Sequence, residues 1–309
     1  MSTISATLVK ELRDKTGAGM MDCKNARIET SGDMEAAIDW LRKKGITKAA
    51  KKSDRIAAEG LIGIATEGLR AAVVEVNSET DFVARNAQFQ EMVTAIAKLA
   101  PAAGGDIAKL QAMTYPGQSH SVEAHVKEMV ATIGENMNLR RTAMLSVPAG
   151  VVSSYMHNQV APGLGKIGVL VALESEGKNG EALEELGRMV AMQVAATNPI
   201  AIDIDHVPAD VLAREKAIIT EKNAGKPAQV MEKIIASSLK SYAKDFCLID
   251  QAYIHDGAKS VGQAIKESEG KVGGPIKLAG FIRFALGEGI DKKTEDFAAE
   301  VAATAAGTR

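Results

Sequence analysis

A chain of 309 residues that is 46% hydrophobic can fill two or three cores, but at 4% aromatic it must pack them with Ala, Leu, Val, Ile and Met. Lys and Arg total 37 against 39 Asp and Glu, and the net charge of −2 argues against nucleic acid as the main partner, because phosphate contacts need a basic excess. Two distant cysteines, Cys23 and Cys247, do not support a disulfide framework, and no apolar run is long enough to span a bilayer, so a cytoplasmic protein away from membranes is expected.

Residues 1–45 read as three short helices. Ile4, Leu8 and Leu12 recur every fourth residue and suggest one apolar face. Gly17 and Gly19 interrupt that pattern, and a second helix is expected from about 20 to 30. Gly32-Asp33 supplies a turn and an N-cap for a third helix, which carries Ala37, Ile38 and Leu41 and stops at Gly45. So small a bundle is marginal by burial alone and should lean on a neighbour or a partner. Residues 46–58 form a basic linker. The run 42–55 (RKKGITKAAKKSDR) holds seven basic residues but no aromatic for base stacking, which favours a solvated helical linker over a nucleic-acid arm.

Residues 59–147 open with two strands, 60–66 and 69–77, joined at Glu67-Gly68, and a helix follows from about 86 to 99. Residues 148–207 repeat the pattern: strands at 151–158 and 166–174, then a helix from about 180 to 196. The fold class this predicts is α+β, with two related subdomains, each an antiparallel sheet covered by helices. The second copy is interrupted. Segments 208–224 and 228–244 flank Gly225-Lys226-Pro227 and read as an antiparallel helical hairpin, inserted before the rest of that subdomain at 245–275. Residues 276–309 are expected to form a C-terminal module, a strand-like 277–289 and an Ala-rich helix from about Lys292.

Short catalytic motifs are missing or out of context. Gly163, Gly165 and Gly168 match a dinucleotide-type glycine pattern, but they precede a strand and read as a hairpin loop. There is no phosphate-binding GxxxxGK[ST] loop and no nucleophile elbow. Five histidines are scattered. His120 and His125 stand five apart on an expected helix, which does not place them on one face, so no metal site is expected. No cofactor and no catalytic residue are expected either.

Two segments are odd for pure structure. The first, 16–24, sets Met20 beside Met21 at a helix start. Neighbours on a helix point about 100° apart, so either one Met is an exposed contact or both line a small bundle. The second, 77–86, ends a strand in a polar run that suddenly holds Phe82. Thr80 or Asp81 caps a helix while Phe82 packs inward, or Phe82 is an aromatic probe on a rigid turn. The second repeat closes its strand with Leu173-Glu174-Ser175-Glu176-Gly177 and has no Thr-Asp-Phe, so the shared fold does not demand Phe82.

These two segments carry a family resemblance. LRDKTGAGMMDCKNA (12–26) and EVNSETDFVARN (75–86) resemble the two signature segments of the elongation factor Ts family. IGENMNLRR (133–141), SYMH (154–157) with KIGVLVALES (166–175), SVGQAIKE (260–267) and GFIRFALGEGI (280–290) resemble that family in the same order. The resemblance implies a three-helix domain like a ubiquitin-associated domain, a core of two α+β subdomains, a helical hairpin used in homodimer contacts, and a C-terminal module. It implies a partner, elongation factor Tu in its GDP-bound and nucleotide-free states, and exchange of GDP for GTP without covalent chemistry. On that basis Asp81 and Phe82, with Thr80 and Val83 beside them, act on the partner's magnesium and phosphate site. Met20, Met21 and Lys24 belong to the partner-facing N-terminal domain. Ile133, Gly134, His157 and Val261 match further contact positions, His157 reaching the partner's third domain. Two departures stand out: Arg27 occupies a usually apolar position, and the loop 159–165 is longer than the commonest family form. The alternative is an adaptor whose three-helix domain binds another protein without exchange activity.

Overall fold

A computed structural model describes residues 5–45, 47, 50 and 52–291. The chain begins with three helices, α1 (Ala6–Thr16), α2 (Met20–Glu29) and α3 (Met34–Lys43). Ser5 caps α1, and Gly17 ends it in the left-handed region at φ 63°. Asp33 caps α3 by accepting from the Ala36 N–H at 2.8 Å. The bundle core is Val9, Leu12, Ala18, Cys23, Ala26, Ala37 and Leu41. This corrects the expected face of α1. Val9, Leu12 and Thr16, spaced three and four apart, point inward, while Leu8 is 38% exposed and Ile4 lies outside the described residues. Neither Met20 nor Met21 lines the bundle, because Cys23 and Ala26 fill the inner face of α2. Arg27 is also drawn in. It is buried, and its Nε and Nη1 have no hydrogen-bond partner among the described residues.

The core is a β-β-α-β unit used twice. In the first copy β1 (Glu59–Glu67) and β2 (Arg70–Ser78) form the expected hairpin, in register from Glu59 opposite Ser78 to Glu67 opposite Arg70. α4 (Ala87–Ala103) covers it and runs four residues past its expected end, with Pro101 inside its last turn. Two helices the sequence reading did not separate follow, α5 (Ile107–Ala112) and α6 (Val122–Ile133). Then β3 (Met137–Ser146), also unanticipated, pairs antiparallel with β2. The second copy has β4 (Gly150–His157), β6 (Ile167–Glu174) and α7 (Gly180–Thr197), completed by β9 (Lys277–Ala285). β6 lies between β4 and β9 as β2 lies between β1 and β3. The strand expected in a separate C-terminal module is therefore the edge of the second sheet. The Ala-rich helix expected from Lys292 lies outside the described residues.

Between α7 and β9 the chain inserts α8 (Ala209–Lys222) and α9 (Ala228–Phe246) as a helical hairpin. A two-stranded ribbon, β7 (Ala252–Tyr253) with β8 (Asp256–Ser260), and α10 (Val261–Val272) follow. Among the described residues no helix is long and apolar enough to cross a membrane.

The layers are helix, sheet, sheet, helix. One face of the first sheet (Leu61, Val74, Val76) packs on Phe89, Met92 and Ile96 of α4. The other (Ile62, Ala71, Val73) meets Val152, Leu170, Ala172 and Phe284 of the second sheet. The far face of that sheet (Val169, Val171, Leu173) packs on Leu183, Leu186 and Val190 of α7. Both faces of β2 and β6 are covered, which is why the apolar residues 71–74 and 167–173 run on without alternation. The glycine pattern at 163–168 serves the same contact. β5 (Leu164–Gly165) leaves the long 159–165 loop to pair with β1, with Gly165 opposite Ile62. A Cβ on Gly168 would lie 2.6 Å from a methyl of Ile62.

Candidate partner-binding site

β2 ends at Ser78, and the next four residues cross the rim of the first sheet before a single 3-10 turn, Val83–Arg85. Two carboxylates brace this crossing from behind. Glu135 accepts from the Thr80 N–H at 2.9 Å and from the Thr80 hydroxyl at 2.6 Å. In return Glu79 accepts from the Asn136 N–H at 2.5 Å and pairs with Arg55 at 3.3 Å. The Ser78 hydroxyl donates to the Thr80 carbonyl. Val83 and Ala84 plug the core beneath. What is left outside is Asp81 and Phe82, both exposed.

Phe82 is 74% exposed, the highest value among the exposed large hydrophobic residues described. Full burial of such a side chain is worth about 1.5–3 kcal/mol, and here that stabilisation is forgone. The reading that put Phe82 in the core is overturned. So is the capping reading, because Asn86, not Thr80 or Asp81, caps α4 by accepting from the Phe89 N–H.

Ile133 and Gly134 lie directly behind this turn. Ile133 packs half-buried on the first core, and Gly134 ends α6 at φ 91°, a backbone value that L side chains rarely adopt. The Lys52 ammonium donates to the Gly134 carbonyl, so the basic linker is tied to the core here rather than wholly solvated. Glu135, the next residue, is the one that reaches Thr80.

A second exposed face lies on α2. Met20 is 47% exposed, Met21 65% and Ile28 53%, and Lys24 is exposed between them. Met20, Lys24 and Ile28 follow each other at four-residue steps along one side of the helix. Ile28 escaped the sequence reading, although its spacing from Lys24 was the signal that could have found it. His157 ends β4 on the surface, with its Nδ1 3.1 Å from the Tyr155 hydroxyl.

Two of the expected contact residues are buried. Val83 is buried in the first core. Val261, the first residue of α10, is fully buried beside Leu248 and Tyr253 in the second core. Neither valine side chain reaches the surface of this structure.

Both cysteines are buried, and burial pushes the Cys23 thiol up and the Cys247 thiol up to about 11. The histidine reading needs correction too. His120 is not on the helix but in the turn before α6, and its Nε2 lies 3.3 Å from His125 Nδ1.

Comparison with known proteins follows the same segments. Residues 79–288 match the family described as Elongation factor TS. The chain is 58% identical over 305 residues to Elongation factor Ts of Xanthobacter autotrophicus, covering 99% of each chain. It is 58% identical over 308 residues to that of Methylobacterium nodulans, covering 99% of this chain and 100% of the relative. With that of Methylorubrum extorquens it shares 59% over 303 residues, 98% of this chain and 99% of the relative.

Proposed function

Because this chain belongs to the elongation factor Ts family, it is a translation elongation factor, and from that premise we propose that it binds elongation factor Tu and expels its GDP. The observation that carries the reading is Phe82, 74% exposed on a turn that Glu135 holds rigid. An apolar ring set out at that exposure, with a carboxylate beside it, is built to enter another molecule.

The mechanism is thermodynamic coupling. A factor that binds nucleotide-free Tu more tightly than Tu·GDP must lower GDP affinity by the same ratio, about tenfold for each 1.4 kcal/mol. Phe82 and Asp81 enter near the partner's magnesium and phosphate site. A carboxylate there competes for the ion, and loss of the ion leaves the phosphates without charge compensation. GTP then rebinds and the factor leaves. No bond in the nucleotide breaks, and this chain needs no cofactor. The α2 face (Met20, Met21, Lys24, Ile28) docks on the nucleotide-binding domain, and His157 reaches a second part of the partner. The α8–α9 hairpin, which exposes Ile218 and Val230, serves a homodimer rather than exchange. The work is done in the cytoplasm, without direct contact to nucleic acid.

The test is release of labelled GDP from purified Tu with catalytic amounts of this chain. Release at rates that scale with the factor supports the proposal. Binding to Tu without faster release returns the adaptor reading.

A further inference from the structure

We propose that His120, His125 and Glu128 form a binding site for one divalent transition-metal ion of the zinc class, held by two imidazole nitrogens and a carboxylate oxygen. The fold builds this cluster deliberately. After α5 the chain makes a tight hairpin in which Thr114 bridges Ser121 and the Tyr115 N–H donates to the His120 carbonyl at 3.0 Å. The Val122 N–H donates to the Met113 carbonyl at 2.8 Å, and Ser121 caps α6. His120 is thereby folded over the first turn of α6. His125 and Glu128 meet it from one face of that helix, three residues apart.

The distances fit a metal better than they fit hydrogen bonds. His120 Nε2 lies 3.3 Å from His125 Nδ1 and 3.4 Å from Glu128 Oε2, and His125 Nδ1 lies 3.8 Å from the same oxygen. Good hydrogen bonds between such atoms are about 2.7–3.2 Å. Four-coordinate zinc holds its ligands at about 2.0–2.2 Å, which sets neighbouring donors about 3.3–3.5 Å apart. Two of the three edges already have that length, and the third needs only a modest closure. The side chains are 10%, 15% and 26% exposed, so little water competes.

The rings are also held. His125 stacks on Tyr115 with centroids 3.6 Å apart and planes 18° apart, which fixes the plane of its imidazole. A cavity of about 50 Å³ opens on His120 and Glu128 between α1, α3 and α6, with room for a water as fourth ligand. Lys15, Arg42 and Lys127 line the same cavity together with Glu35, and Lys127 is paired with Glu123. A donor set of two imidazoles and one carboxylate suits imidazole-seeking metals rather than the oxygen-seeking magnesium and calcium.

The test uses the full chain stripped with a chelator and then titrated, with Zn²⁺ by calorimetry and with Co²⁺ by visible absorption. The expected result is one equivalent of saturable binding, a tetrahedral cobalt spectrum without thiolate charge-transfer bands, and a higher melting temperature with excess Zn²⁺. H120Q and E128Q should each weaken binding by at least about tenfold, the scale on which even outer partners of a metal act. Absence of saturable binding by the unmodified chain overturns the proposal. So does unchanged affinity in both variants, or a cobalt spectrum with thiolate bands, since the ion would then sit elsewhere. No readout requires Tu, so the result is independent of the exchange reading.

Discussion

Glu135 holds Thr80 twice, through the backbone N–H at 2.9 Å and the hydroxyl at 2.6 Å, across 55 residues of sequence. The grip fixes the one stretch of backbone from which Asp81 and Phe82 project. Glu135→Ala should therefore cost more in exchange than in folding. Two hydrogen bonds to a half-buried carboxylate are worth about 1–3 kcal/mol. A loss of unfolding free energy of that size, with GDP release slowed at full folding, is the expected pair of results. Exchange at the unmodified rate would show that the turn does not need its brace.

Phe82→Ala and Asp81→Ala are the direct tests of the exposed turn. Phe82 is 74% exposed and neither side chain makes a helix-cap hydrogen bond, so both variants should melt within about 0.5 kcal/mol of the parent. If Phe82 is a binding hot spot, its loss should cost about 2 kcal/mol or more of coupling, roughly a thirtyfold slower release of GDP. Thermal unfolding and GDP release measured on the same samples check both numbers.

Arg27 should be a liability to folding. Its guanidinium is buried in α2 with Nε and Nη1 unpartnered among the described residues. Arg27→Met keeps the length and apolar stem while removing the unsatisfied donors. Stability should rise by about 1–3 kcal/mol, read as a higher urea midpoint at unchanged slope. A fall instead would mean that the guanidinium is satisfied in solution.

Glu75 ties the first sheet to the turn after β9. Its fully buried carboxylate accepts from Gly287 N–H at 2.8 Å and Asn77 at 3.0 Å, and pairs with Arg140 at 3.0 Å and Arg141 at 2.5 Å. Burial pushes Glu75 up, but those donors together outweigh it and hold the carboxyl below its ordinary 4.5. A depressed folded value means the unfolded chain takes up the proton first as acid is added. The stabilisation is thus full above the ordinary value and is lost as pH falls through the lowered one. Glu75→Gln should cost about 1–3 kcal/mol at neutral pH, discounted because both arginines are partly exposed. The gap to the parent should narrow below pH of about 4. A constant gap in melting temperature across that range would remove the carboxylate from the account.

Local signals were legible wherever short-range chemistry decides structure. The Glu67-Gly68 hairpin, the Asp33 cap and the Gly225-Lys226-Pro227 turn were read from neighbours alone, and each stands where expected. The two odd segments were also visible, since a Met pair and a Phe in a polar run break the local pattern. Which way those side chains face was not visible. Residues 20, 21 and 82 could be sorted only once Cys23, Ala26 and Val83 were seen to occupy the inward positions. β3 and β9 were missed or misplaced because a strand's membership in a sheet depends on a partner far along the chain, Val73 for Ala143 and Val171 for Phe281. The closeness of His120 and His125 is hidden from local spacing for the same reason. A hairpin held by Met113 and Tyr115 carries His120 off the helix, and no periodicity records that fold-back. Local spacing determines which elements form. The burial of both faces of β2 and β6, and the long-range grip of Glu135 on Thr80, come from free energy that exists only when distant segments meet.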